Sequence, residues 1–217
     1  MLRYETTVSA AMFLVNSIDV NFISATRRSL DKRATLVLLH GLGSDEQDMF
    51  GLADFLNPRI EVVCLRAPFR YGPGFAWFDI QWTNKGIQVD EEQFWTSVQS
   101  VSDYLAELQA ENLIVGGFSQ GAMMSLGVIA KAPELAKGVV LLSGRGFNQL
   151  CSQFTGTIFH AHGTYDDVIP IQDAHDLRRD LFGHGDRYEY RQYDIGHTIN
   201  DQEIQDLNGW LARQIEV

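Results

Sequence analysis

The stretch Leu113-Ile114-Val115-Gly116-Gly117-Phe118-Ser119-Gln120-Gly121-Ala122 passes within ten residues from a short apolar run, through a glycine-rich turn, into a long apolar segment. The run Leu113 to Val115 is branched and unbroken, as a strand buried on both faces should be. The segment from Ser119 to Ala132 is apolar nearly all round and stops at Pro133, so it reads as a central, buried helix. Strand, tight turn and buried helix in succession make one βα unit of a parallel sheet.

The same alternation repeats outward from this unit. Leu36 to Leu39 ends at His40-Gly41, and Ile60 to Leu65 at Arg66-Ala67-Pro68. Val139 to Leu142 ends at Ser143-Gly144, Thr157 to Ala161 ends at His162-Gly163, and Tyr188 to Tyr193 is strand-like. Between them Phe94, Val98, Val101, Leu105 and Leu108 mark one helical face, with Asp90 and Gln93 as its start signal. Ile171, Ala174, Leu177 and Leu181 mark a second face that stops at Gly183. Ile204, Leu207, Leu211 and Ile215 mark a third, with Asn200 as its cap. The pattern predicts an α/β fold with a mostly parallel sheet covered by helices on both faces. It predicts a single domain over residues 1–217, in which 1–33 supply N-terminal edge strands or an extension and Tyr4 to Ser24 read as one or two strands.

Composition narrows the function classes. Seventeen Lys and Arg face 28 Asp and Glu in 217 residues, a net charge of −11. A hydrophobic fraction of 45% and a charged fraction of 21% fit a globular chain with a sizeable core, not a disordered chain or a disulfide scaffold. The acidic balance argues against nucleic acid as the main partner and against electrostatic docking on an anionic membrane. Cys64 and Cys151 lack the spacing of a zinc or redox motif, so no metal site is expected. They read as buried thiols or as one disulfide. The apolar stretch Ala10 to Val15 is too short to span a membrane. Arg3 precedes it, but Glu5 and the lack of a small-x-small cleavage site disfavour a signal peptide. A cytoplasmic protein without an integral membrane segment is expected.

Gly117-Phe118-Ser119-Gln120-Gly121 matches Gly-x-Ser-x-Gly in the strand–turn–helix setting where a serine is held on a sharp turn as a nucleophile. The alternative is a glycine-rich turn whose serine only caps the helix. A nucleophilic serine needs a base and the base an orienter. In this kind of fold the chain order is serine, acid, histidine. His162-Gly163-Thr164-Tyr165-Asp166-Asp167-Val168-Ile169-Pro170 places a carboxylate beyond a strand end, and Ile195-Gly196-His197-Thr198 places a histidine before the last helix. Asp166 is preferred as the acid, with Asp167 its competitor. His40 and His162 read as shaping the loops around the site. His160 reads as buried and satisfied, and His175 and His184 as solvated. An oxyanion hole needs two backbone donors. The N–H of Gln120 is one, and Leu42 in His40-Gly41-Leu42-Gly43 is the other, with Gly41 as the alternative.

His40-Gly41-Leu42-Gly43, Gly117-Phe118-Ser119-Gln120-Gly121, His162-Gly163-x-x-Asp166-x-x-Ile169-Pro170 and Gly196-His197 together resemble the carboxylesterase/phospholipase family of α/β hydrolases, from about Leu36 to the C-terminus. That family includes acyl-protein thioesterases and small carboxylesterases. The resemblance implies a Ser119–His197–Asp166 triad with the Leu42 and Gln120 amides as oxyanion hole. The segment Gly74-Phe75-Ala76-Trp77-Phe78-Asp79 is similar to one bordering the acyl site, which makes Trp77 and Phe78 candidate substrate-binding residues. Their aromatic neighbourhood, Phe69 to Trp82, reads equally as the floor of an acyl pocket or as a satellite core over a long loop. Asp167 stands where many members have Pro, and Ala122 where many have Gly.

These residues predict a serine hydrolase that cleaves carboxylic esters through an acyl-enzyme. A small carboxylesterase is the first reading and a lysophospholipase or acyl-protein thioesterase the second, with a small-molecule ester or thioester as substrate. No cofactor is needed, and no dinucleotide fingerprint is present. The usual sign of a non-catalytic binding module on this fold is a missing triad member, and none is missing here. Acyl transfer to peroxide is a third option. A homodimer is expected by analogy only.

Overall fold

The computed structural model describes residues 22–83, 86–146, 151 and 153–216. In chain order the elements are β1 (Ser24–Arg27), β2 (Ala34–Leu39), α1 (Glu46–Phe50), β3 (Ile60–Leu65), β4 (Phe69–Tyr71), β5 (Gly74–Ala76), β6 (Ile80–Thr83) and β7 (Gly86–Val89). They continue as α2 (Glu91–Glu107), β8 (Leu113–Phe118), α3 (Gln120–Lys131), β9 (Gly138–Leu142), β10 (Thr157–Gly163), α4 (Ile171–Leu181), β11 (Tyr188–Tyr193) and α5 (Asp201–Ile215). Seven strands form one sheet in the order β1-β3-β2-β8-β9-β10-β11, parallel except for β1, which runs antiparallel to β3 at the edge.

The unbroken apolar runs form the inner strands, since β2, β8, β9 and β10 have a helix layer on either face to bury them. One core packs Phe94 and Val98 of α2, Met123 and Val128 of α3 and Leu177 of α4 against Val37, Val115 and Leu141. The other packs Met49 of α1 and Leu207, Trp210 and Leu211 of α5 against Leu38, Ile114 and Phe159. The start signals operate as read. The Asp90 carboxylate accepts from Gln93 N–H at 2.9 Å, and the Asn200 amide oxygen from Glu203 N–H at 2.8 Å.

Several expectations change. β8 runs past Val115 to Phe118, so Gly116 does not end the strand. A Cβ there would lie 2.7 Å from Val140 Cβ, and its absence lets β9 approach. The aromatic stretch from Phe69 is no long loop. It holds two antiparallel hairpins, β4–β5 and β6–β7. Of the expected N-terminal strands, residues 4–21 lie outside the described residues, and the edge strand observed is Ser24–Arg27. Cys64 and Cys151 are both free and buried, so no disulfide joins them, and burial pushes the thiols up to about 12 and about 11. His184, expected in solvent, is buried against Phe154. Among the described residues no helix is long and apolar enough to cross a membrane.

Candidate active site

The carboxyl ends of β2, β8 and β10 converge at one rim of the sheet, where open α/β sheets bind ligands. Ser119 sits there between β8 and α3 with φ 54° and ψ −113°. A non-glycine residue in that region is strained. The strain is held by Ser119 N–H donating to Leu142 O at 2.8 Å and by the first turn of α3, where Ala122 and Met123 N–H reach Ser119 O at 3.1 and 3.2 Å. Gly121 allows the turn to sit so close to β2, because a Cβ there would lie 1.9 Å from Leu39 O. Ser119 is the N-cap residue of α3, but its side chain makes no capping bond, and it lines a cavity.

The loop after β10 gives the neighbouring aspartates different surroundings. Asp166 is buried and Asp167 exposed. Asp166 Oδ1 accepts from Val168 N–H at 3.0 Å and Ile169 N–H at 2.8 Å, while Oδ2 lies 2.7 Å from His197 Nδ1. A carboxylate only accepts, so His197 carries a hydrogen on Nδ1, and in the neutral ring that leaves the lone pair on Nε2. The Phe118 ring packs on the His197 ring at 4.7 Å between centroids.

His162 braces the same loop. Its Nε2 lies 2.8 Å from Ile169 O and 3.4 Å from Asp166 Oδ2, both acceptors, so Nε2 is protonated. Burial holds this ring below the ordinary histidine range, which keeps it neutral. His40 shapes the loop after β2. Its Nε2 accepts from Ala67 N–H at 3.0 Å, so Nδ1 donates to Gly41 O at 2.7 Å. Burial lowers its pKa as well. The Arg66 guanidinium grips the buried Glu46 carboxylate through two bonds of 2.6 Å, tying α1 to the end of β3. His160 and His162 are each only half satisfied, since Nδ1 of His162 and Nε2 of His160 have no partner among the described residues. The Nδ1 of His160 bonds Tyr188 Oη at 2.7 Å, and burial pushes that ring down to about 3.

Ser119, His197, Gln120 and Leu42 line one cavity of about 150 Å³, together with Ile80, Ile87, Met123, Val168 and Ile169. Trp77 and Phe78, expected at the substrate site, are not among its walls. Both are fully buried in the main core, while Ile80 of the same stretch lines the cavity, so neither reading of the stretch fits it whole. The physical reason is visible in their bonds. Trp77 N–H donates to Gln120 Oε1 at 2.8 Å, Gln120 Nε2 donates to Phe78 O at 2.8 Å, and the Trp77 indole N–H donates to His40 O at 2.9 Å. These bonds turn the pair inward. The apolar walls Ile80 and Ile87 escape sequence reading because they lie on β6 and β7, strands too short to show a clear period.

The phospholipase/carboxylesterase family model matches residues 21–215. The chain is 26% identical to acyl-protein thioesterase 1 of Kluyveromyces lactis, over 92% of its own length and 100% of that protein. It is 27% identical to the probable carboxylesterase SOBER1-like of Arabidopsis thaliana, over 95% and 88% of the two chains. Among solved structures it is similar to esterase PE8, with a TM-score of 0.79 and 26% identity over 90% of this chain and 100% of that one.

Proposed function

Since the chain belongs to the phospholipase/carboxylesterase family and is a serine hydrolase acting on ester bonds, we propose that it is a small carboxylesterase with Ser119 as nucleophile, His197 as base and Asp166 as orienter. The observation that carries this reading is the 2.7 Å bond between Asp166 and His197 beside a cavity that the strained Ser119 also faces. With Nδ1–H committed to Asp166, His197 Nε2 takes the Ser119 proton as the hydroxyl oxygen attacks the ester carbonyl. The carbonyl oxygen becomes an oxyanion that the Leu42 and Gln120 amides stabilise. Gln120 is the first residue of α3, so its N–H has no carbonyl partner within the helix. His197 then protonates the leaving alcohol. In the second half-reaction it activates the water that releases the acid and frees Ser119.

A cavity of about 150 Å³ is small beside the roughly 300–1,000 Å³ of typical ligand sites. It favours short acyl chains. The thioesterase reading stays second, favoured by the full-length likeness to the Kluyveromyces protein and using the same steps with a thiol as leaving group. We assign the protein to the cytoplasm, as a single domain acting on soluble small-molecule esters, and carry a homodimer from the family resemblance.

Ser119→Ala tests the assignment. The variant should keep its circular dichroism spectrum and lose hydrolysis of nitrophenyl butanoate by about a millionfold in kcat. Near-normal turnover would overturn it. A chain-length series of nitrophenyl esters beside an acyl-CoA series separates esterase from thioesterase.

A further inference from the structure

We propose that Trp77 and the side chain of Gln120 are positioning residues that set the relative placement of the two oxyanion donors. The inference rests on the acyl-transfer reading above and extends it to side chains outside the triad. One segment, residues 75–78, running from the end of β5 into a bend, is hydrogen-bonded to both donor-bearing elements. On the side of the loop after β2, Gly43 N–H donates to Phe75 O at 2.8 Å and the Trp77 indole N–H donates to His40 O at 2.9 Å. These two bonds lie on either side of Leu42 in the chain. On the side of α3, the Gln120 amide pairs with Trp77 N–H and Phe78 O, both at 2.8 Å.

The side-chain bonds of the brace are buried, while Gly43 and Phe75 are half-buried. Trp77 and Phe78 are fully buried, Gln120 is 1% exposed and His40 is inaccessible. Ser97 Oγ donates to Trp77 O at 2.6 Å and anchors the segment to α2. Buried bonds of this kind fix geometry, because breaking one leaves a desolvated polar group without a partner. Gly121 is also needed beside this carbonyl, because a Cβ there would lie 2.9 Å from His40 O. The chain from Leu42 back to His40, followed by the bonds His40–Trp77 and Trp77–Gln120, thus links one donor peptide to the other. Oxyanion stabilisation depends on donors already aimed at the developing charge. Loosening the brace should therefore weaken transition-state binding and leave ground-state binding intact.

Trp77→Phe keeps a buried ring and removes the indole N–H. The kcat for nitrophenyl butanoate should fall about tenfold, below the roughly 10²–10³ of losing a donor outright, with KM within about twofold. A trifluoromethyl ketone gives a second readout. Ser119 Oγ adds to its carbonyl carbon, the hydroxyl proton passes to His197, and the carbonyl oxygen becomes an oxyanion in the hole. Its affinity should fall by the same factor as kcat, while a neutral amide inhibitor binds as before. Gln120→Met, which keeps the side-chain length and removes both amide bonds, should behave alike and serves if Trp77→Phe does not fold. Unchanged kcat and ketone affinity in a folded variant overturn the brace, as does an equal loss for ketone and amide. A wild-type protein that neither hydrolyses the ester nor reacts with a fluorophosphonate overturns the acyl-transfer reading and the brace with it.

Discussion

On one side of the cavity, Ser119, Gln120, Leu42 and His197 are carried by strained or desolvated structure. On the other, Ile80, Ile87 and Val168 are ordinary aliphatic side chains, partly or openly exposed on a short hairpin and a loop. The first side holds a serine at positive φ, neutral buried histidines at 40 and 162, and an interlocking set of buried hydrogen bonds. Among the described residues the second joins that network only through the Val168 backbone N–H on Asp166, and its side chains are apolar. Groups that must meet a reacting atom need fixed positions, and fixing them costs stability. A wall that only excludes bulk can be built from side chains that change without disturbing the rest.

The largest test of this contrast is Asp166→Asn. An asparagine would offer an N–H to His197 Nδ1 and favour the tautomer with hydrogen on Nε2, which cannot accept the Ser119 proton. The kcat should fall about ten-thousandfold with the fold intact. Asp167→Asn, one residue on and exposed, should stay within about twofold. Steady-state kinetics on both variants checks this, and equal losses would break the assignment of the acid.

These two aspartates also mark how far the sequence can be read. Strands and helices are legible because buried strands give unbroken apolar runs and because Asp90 and Asn200 cap as such residues do. The serine, acid and histidine are legible from their order beyond successive strand ends. Asp166 and Asp167 are the same residue type side by side, and only the backbone turn decides which one meets the Val168 and Ile169 amides. Trp77 and Phe78 mislead for a related reason. An aromatic ring has the same composition whether it faces a ligand or the core, and the Gln120 side chain that turns this pair inward is 42 or 43 positions away. The β4–β5 and β6–β7 hairpins stay hidden because three- and four-residue strands carry too few positions for a period.

Glu203 tests the stability side of the contrast. It lies three residues after the cap of α5, is 1% exposed, and neither carboxyl oxygen has a partner among the described residues. Burial raises its pKa to about 8. The folded state therefore keeps a proton that the unfolded state loses near pH 4.5. Its contribution is fully present below pH 4.5 and is lost as pH rises through about 8. Glu203→Gln removes the ionisable group and should gain about 2 kcal/mol relative to the parent at about pH 9, with little gain at about pH 5. The buried histidines act in the opposite direction. His40, His160 and His162 have lowered pKa values, so stability falls as pH drops below about 6.5, in parent and variant alike. Denaturant melts at several pH values check both limbs. A parent and variant with parallel pH curves would show that this carboxyl is solvated or paired.

The smallest expected effect belongs to the wall, and it is the one that would define it as an acyl site. Ile87 is half-buried and lines the cavity. Ile87→Ala removes bulk where a short acyl chain should end, and it touches none of the bonds that orient Ser119, His197 or the oxyanion donors. The ratio of kcat/KM for octanoate over butanoate esters should rise about tenfold, since one or two methylenes in an apolar site are worth that much. Turnover of the acetate ester should stay close to the parent, and stability should fall by no more than about 1 kcal/mol because the side chain is only partly buried. A variant that loses acetate turnover would show that the hairpin supports the chemistry as well as the wall. A variant with an unchanged chain-length profile would place the acyl chain along another surface and leave this cavity to the leaving group.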